Sequence, residues 1–235
     1  MTDSILVPVE LRDPEPLSPV LVEDIASLDI VLLGHYDLPE QTPAGAARDQ
    51  FEAEAQATLE EIANRFRDEG ADVRTRLVFG KDRESAIDQV AIEEDCSAEL
   101  NPAPTEGVHR ILVPIPDVAE FSRLPEFLDV LCEDFTQEIT LFHVVEGEKE
   151  REQGTRIVTE TREGLIEAGF DPDGIDTLVV EGEEHDDEIL EVAADYDAVV
   201  MYEAELGLSD RIFGNLPDRI ADQTGDPVVI VRRDY

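Results

Sequence analysis

Short apolar runs bounded by polar residues alternate along this chain with longer stretches in which apolar residues return every three or four positions. The first runs are Ile5-Leu6-Val7-Pro8-Val9 and Ile30-Val31-Leu32-Leu33. Runs of this length and continuity fit parallel strands covered on both faces. Between Ala44 and Glu69 the pattern changes: Phe51, Ala55, Leu59, Ile62, Ala63 and Phe66 mark one face of a long helix, with Gly70 placed to cap it. A third strand is expected over Val73 to Phe79, ending at Gly80, and a helix over Arg83 to Glu94.

The same order then recurs. Ile111-Leu112-Val113-Pro114-Ile115 repeats the opening strand at an offset of 106 residues, and Glu138 to Val145 repeats the second. A helix follows from about Glu148 to Ala168, closed by Gly169, then a strand over Thr177 to Val180 ending near Gly182, and a helix over Asp186 to Ala194. The second half continues through a strand at Ala198 to Tyr202, a loop and helix, and a last strand at Val228 to Val231. In the first half the series stops at Leu100, before a proline-rich linker, so a final helix and strand are expected to be missing. The fold class is α/β: two repeated open-sheet units with mainly parallel strands and helices on both faces, the first unit truncated. Boundaries are placed at 1–101 and 110–235, with 102–109 as the linker.

Charge changes the picture of where such a protein works. The 58 acidic residues against 18 basic ones give a net charge of −40, and Lys81 and Lys149 are the only lysines. Acids spread along the whole chain read as adaptation to a salt-rich cytoplasm, in which the Debye length falls to ~3 Å at molar salt. With no basic stripe to offset this field, nucleic acid is not an expected partner. Met1-Thr2-Asp3-Ser4 leads straight into the first strand without a basic leader, and no apolar run approaches the ~20 residues of a membrane helix. A soluble, cytoplasmic protein without membrane insertion is expected. Cys96 and Cys132, in patterns of a helix end and a helix interior, read as buried free thiols.

These repeats and motifs together resemble a tandem, salt-adapted member of the universal stress protein family. Ile111 to Ile115, Leu141 to Glu146, and Gly214 to Arg232 carry the resemblance best, the last through Gly214-Asn215-Leu216-Pro217-Asp218-Arg219-Ile220 followed by Asp226-Pro227-Val228-Val229-Ile230-Val231. The resemblance implies an adenine nucleotide alpha hydrolase-like fold and, in one subclass, binding of ATP on a glycine-rich loop. There close backbone approach and helix-start amides hold phosphate. The family loop reads Gly-x-x-Gly, a spacer, then Gly-Ser or Gly-Thr. Here it is degenerate: Tyr202-Glu203-Ala204-Glu205-Leu206-Gly207-Leu208-Ser209 lacks both early glycines and sets two carboxylates where phosphate would lie. The resemblance leaves Asp117, Val145, Gly207, Ser209, Gly214 and Asn215 as nucleotide-binding candidates, with Mg²⁺ needed to bridge ATP to the acidic loop. Pro116 stands where the family has an aspartate at the end of the first strand; the first half has Glu10 there. Only the second half retains pieces of a ligand loop.

Other chemistry is sparse. His185-Asp186-Asp187-Glu188 reads as a helix start rather than a metal cluster, because consecutive residues of a helix do not share a face. His143 reads as a core histidine, with His35 as its counterpart in the first half, and neither is accompanied by a nucleophile motif. No P-loop or nucleophile elbow is present. Two readings stay open: a non-catalytic stress-response or regulatory module working through self-association or a partner, and a nucleotide (ATP or AMP) sensor using the second half. In the resembling family the last strand pairs across a dimer, which makes Val228 to Val231 the expected homodimer strand and the two halves an expected pseudo-dimer. The charge makes one direct prediction: the melting temperature rises steadily as KCl is raised from ~0.01 M to ~1 M. A flat or falling salt series by circular dichroism contradicts the reading of the acids.

Overall fold

The computed structural model describes residues 4–14, 16–38, 44–105, 107–116, 124–132, 137–202 and 216–232. The chain divides into two compact units, Met1–Leu100 and Asn101–Tyr235. No helix among the described residues is long and apolar enough to cross a membrane.

The first unit runs β1 (Ser4–Glu10), α1 (Pro19–Asp24), β2 (Asp29–Asp37), α2 (Ala44–Asp68), β3 (Val73–Gly80), α3 (Arg83–Glu93) and β4 (Ala98–Asn101). Its strands are parallel and lie in the order β3-β2-β1-β4. Strand β1 is central and almost wholly buried, which is why its run is apolar throughout. Helix α2 covers one face, inserting Leu59, Ala63 and Phe66, all fully buried. On the same side Tyr36 stacks on Phe51 of α2 at 5.3 Å between ring centroids and meets Phe79 of β3 at 5.1 Å. Helix α3 covers the other face, packing Ile87, Val90 and Ala91 against Leu6, Val31 and Leu33. Arg74 and Arg76 of β3 both reach Glu94, just past α3, and clamp the helix end to the sheet. The expected strands and long helix are present, and the short α1 and β4 are additions to the sequence reading. Beyond β4 the unit has no further helix or strand among its described residues.

The second unit contains β5 (Arg110–Pro114), α4 (Leu124–Leu131), β6 (Glu138–Val145), α5 (Arg151–Ala168), β7 (Ile175–Glu181), α6 (His185–Ala193), β8 (Ala198–Tyr202), α7 (Leu216–Thr224) and β9 (Val228–Val231). All its pairings are parallel, in the order β9-β8-β5-β6-β7. Helix α5 lies so close to the sheet that a Cβ on its Gly154 would fall 2.7 Å from Val145 and 2.8 Å from His143. Only glycine fits there. Gly169 ends α5 at φ 115°, and the next amide, of Phe170, bonds back to Leu165, the left-handed cap for which glycine has no Cβ penalty. The opposite face buries Ile189, Leu190, Leu216 and Ile220 from α6 and α7 over Leu112, Phe142, Val144 and Val199.

The pairing register corrects one sequence assignment. Ile5 faces Ile30, and Ile111 faces Ile139. Counting on from these pairs, Gly34 occupies the place of His143, and His35 the place of Val144. Because neighbouring strand residues point to opposite faces, the two histidines are not counterparts and lie on opposite sides of their sheets. Gly34 backs onto Leu59 of α2, as His143 backs onto Gly154 of α5.

Both cysteines are free and buried. Cys132 follows the last turn of α4 rather than lying inside it, and burial, aided by Asp129, pushes its thiol from 9.0 up to about 12. The folded state therefore favours the neutral thiol: its contribution is complete below pH 9.0 and is lost as pH rises towards about 12. Stability should fall across that window, and Cys132→Ala, although less stable at neutral pH, should show a shallower fall. Identical slopes for the two proteins in urea melts would remove Cys132 as the cause.

Candidate functional site

In an open parallel sheet the strand to the left and the strand to the right of the switch point leave in opposite directions, and the crevice outside their carboxyl ends is where ligands bind. In the second unit that point lies between β5 and β8, at Pro114 to Pro116 and at Met201 and Tyr202. Of the sequence candidates, Val145 is the one the structure places beside this crevice, at the end of β6. Its side chain is buried against Gly154, and its carbonyl accepts the amide of Gly182 at 3.0 Å. Asp117, Gly207, Ser209, Gly214 and Asn215 lie outside the described residues, as do Glu203, Glu205 and Phe213. Tyr202 is buried at the end of β8.

His143 holds the edge of this crevice. It is buried, and its Nδ1 lies 2.7 Å from the carbonyl oxygen of Ile115, so the ring donates there and ties the end of β6 to the end of β5. This is a structural bond in the sense the sequence suggested. The acidic start of α6 likewise has a structural partner: Arg219 of α7 reaches Asp187 at 2.8 Å and Asp186 at 3.8 Å. Burial still pushes the Asp186 carboxyl above its usual range, with Arg219 pulling the other way. Among the described residues no group of three or more His, Cys, Asp or Glu side chains is arranged to hold a metal ion.

The first unit contains a cleft that the sequence reading did not assign. At the carboxyl ends of β1, β2 and β3, a space of about 640 Å³ is lined by Glu10, Arg12, Asp13, His35, Asp37, Lys81 and Arg83. His35 forms its floor at 1% exposure. Glu10 fixes the ring, with its Oε2 3.2 Å from Nδ1, and its Oε1 accepts the amides of Arg12 at 3.1 Å and Asp37 at 3.3 Å. The other ring nitrogen, Nε2, is buried and has no hydrogen-bond partner. Gly80 lies beside it: a Cβ there would be 3.6 Å from Nε2. The sequence signal was present in Glu10, His35 and Lys81, but only the strand register brings them to one end of one sheet.

No protein-family model matches the sequence, and no curated protein is significantly similar to it. Solved structures are similar in fold. A universal stress protein from Archaeoglobus fulgidus DSM 4304 superposes with a TM-score of 0.69 at 14% identity, covering 99% of this chain and 99% of that one. A protein described as a putative universal stress protein from Pseudomonas aeruginosa UCBPP-PA14 gives 0.54 at 15% identity, over 98% of this chain and 93% of that one. The cytoplasmic domain of a prokaryotic cation chloride cotransporter gives 0.51 at 10% identity, over 98% and 95%. The architecture thus also occurs outside stress proteins, and a shared fold does not fix a function. Over nearly its whole length, this chain has the α/β fold of the universal stress proteins.

Proposed function

We propose that the chain is a universal stress protein-like, cytoplasmic, non-catalytic module that acts through association with itself or with a protein partner. The observation that carries this reading is the full-length agreement in fold with a universal stress protein, both units included. Burial of both thiols supports it, since neither is presented to solvent, and the Cys132 thiol, held up to about 12, is a poor nucleophile at neutral pH. The association surface we assign is the edge of the second unit's sheet. Strand β9 is the edge strand within that unit, and an edge strand needs a covering partner for its outward amides and carbonyls. A strand of the first half, as in a pseudo-dimer, or the same strand of a second copy meets that need. Homodimerisation through Val228–Val231 is the version with a direct test.

A second reading is nucleotide sensing by the second unit, favoured by the position of Val145 and of α7 at the switch-point crevice. Gly207, Ser209, Gly214 and Asn215 would supply the phosphate contacts, and Asp117 the contact at the end of β5. The opposing term is Glu203 with Glu205. At an effective dielectric near 20, a like-charge pair ~4 Å apart costs about 4 kcal/mol, which favours AMP, or ATP carrying Mg²⁺, over ATP alone.

Two measurements in molar KCl separate these readings. Sedimentation across a concentration series should show reversible dimerisation, weakened by Val229→Lys in β9; a monomer at every concentration ends the dimer assignment. A thermal shift series with AMP, and with ATP and Mg²⁺, should add ~2.7 kcal/mol of stability at 100 times the dissociation constant if the second unit is a sensor. No shift with either ligand removes the sensor reading and leaves the association reading standing.

A further inference from the structure

The cleft of the first unit differs in chemistry from the equivalent place in the second, although the strand order is the same. By the register given above, His35 stands where the second unit has Val144, and Glu10 stands where it has Pro116. The turn from β3 into α3 carries Lys81 and Arg83 where the turn from β7 into α6 carries Glu183 and His185. The second unit buries Val144 in an apolar cluster with Ile189 and Leu190. A fold unit that closes well with valine here has, in its other copy, an imidazole oriented by a carboxylate, with its remaining nitrogen unpaired.

Leaving a buried polar atom unpaired disfavours the empty cleft, so a partner that fills it recovers part of that cost on binding. The cations around it point to what that partner carries. Most arginines of the described residues are already engaged: Arg48, Arg65, Arg67, Arg110, Arg151 and Arg156 pair with carboxylates. Arg12 and Arg83 form no ion pair with a described residue, on a chain with 58 acids to choose from. Together with Lys81 they surround the cleft, and Glu10 is occupied by its three internal donors. Three cations against Glu10, Asp13 and Asp37 make the lining close to neutral, where the chain as a whole carries −40.

We propose that this first-unit cleft binds a small oxyanion, the phosphate or carboxylate group of a small molecule, on Arg12, Lys81, Arg83 and the free nitrogen of His35. Guanidinium groups suit such ligands because their paired N–H donors match two oxygens of one anion. With Nδ1–H donated to Glu10, Nε2 accepts from a hydroxyl on the ligand, or donates to its oxygen when the ring is protonated. An oxyanion carrying a hydroxyl satisfies either state. Asp13 and Asp37 restrict the ligand to low charge. The site lies over the α3 face at β1, β2 and β3, and it stands independently of nucleotide binding by the second unit.

The test follows the imidazole signals of the full chain by NMR in molar KCl at fixed ionic strength, with inorganic phosphate in one arm and lactate, a monoanionic carboxylate that carries a hydroxyl, in the other. Saturable movement of the His35 signals in either arm, with those of His143 unmoved, is the expected result, and the arm that responds identifies the source of the oxyanion. The double substitution Arg12→Gln with Arg83→Gln should weaken that binding at least ~10-fold, equivalent to about 1.4 kcal/mol. Gly80→Ala places a methyl group at ordinary contact distance from Nε2, without a strained φ, and should block binding while the circular dichroism spectrum stays unchanged. No saturable movement in either arm, or an unchanged titration in both the double variant and the Gly80→Ala protein, overturns the proposal.

Discussion

A parallel sheet must be covered on both faces, and this constraint orders everything else in the molecule. Strands β1 and β5 can be apolar at nearly every position only because helices lie above and below them. The chain leaves each strand at its carboxyl end and turns to one face or the other, so the ends of the strands are where backbone amides, short turns and helix starts gather. Both candidate sites stand there for that reason. The close seat of α5, which admits only Gly154 over Val145 and His143, shows how firmly a covering helix fixes the geometry at that end of its sheet.

Element order was legible in the sequence because the two signals do not resemble each other: continuous apolar runs for buried strands, and a three-to-four spacing for helices. The reading met its limit where signals were short. Strand β4 and helices α1 and α4 are brief. The two histidines stand one position apart in the register of their strands, and in a strand one position exchanges the two faces. From sequence, His35 and His143 look alike; in the register, one bonds a neighbouring strand's carbonyl and the other sits in a charged cleft beside Glu10.

The sites were less legible than the fold, for a related reason. A degenerate loop motif can be recognised by spacing within one segment, which is how Gly207, Ser209, Gly214 and Asn215 were singled out. The cleft of the first unit has no such segment: Glu10, His35 and Lys81 come from three strand ends far apart in the chain. Each alone is an ordinary residue. Their meaning arises from the order β3-β2-β1, which no local pattern specifies.

Glu94 shows how so acidic a chain can still use specific ion pairs. Its carboxylate, at 13% exposure, receives both Arg74 and Arg76, at separations no longer than the ~3 Å screening length of molar salt. Repulsion among the surface acids acts over much longer distances, and the same salt removes it. Electrostatics in this protein is thus sorted by range: salt silences the diffuse field and spares the contact, so the medium itself selects which charges take part in holding the fold.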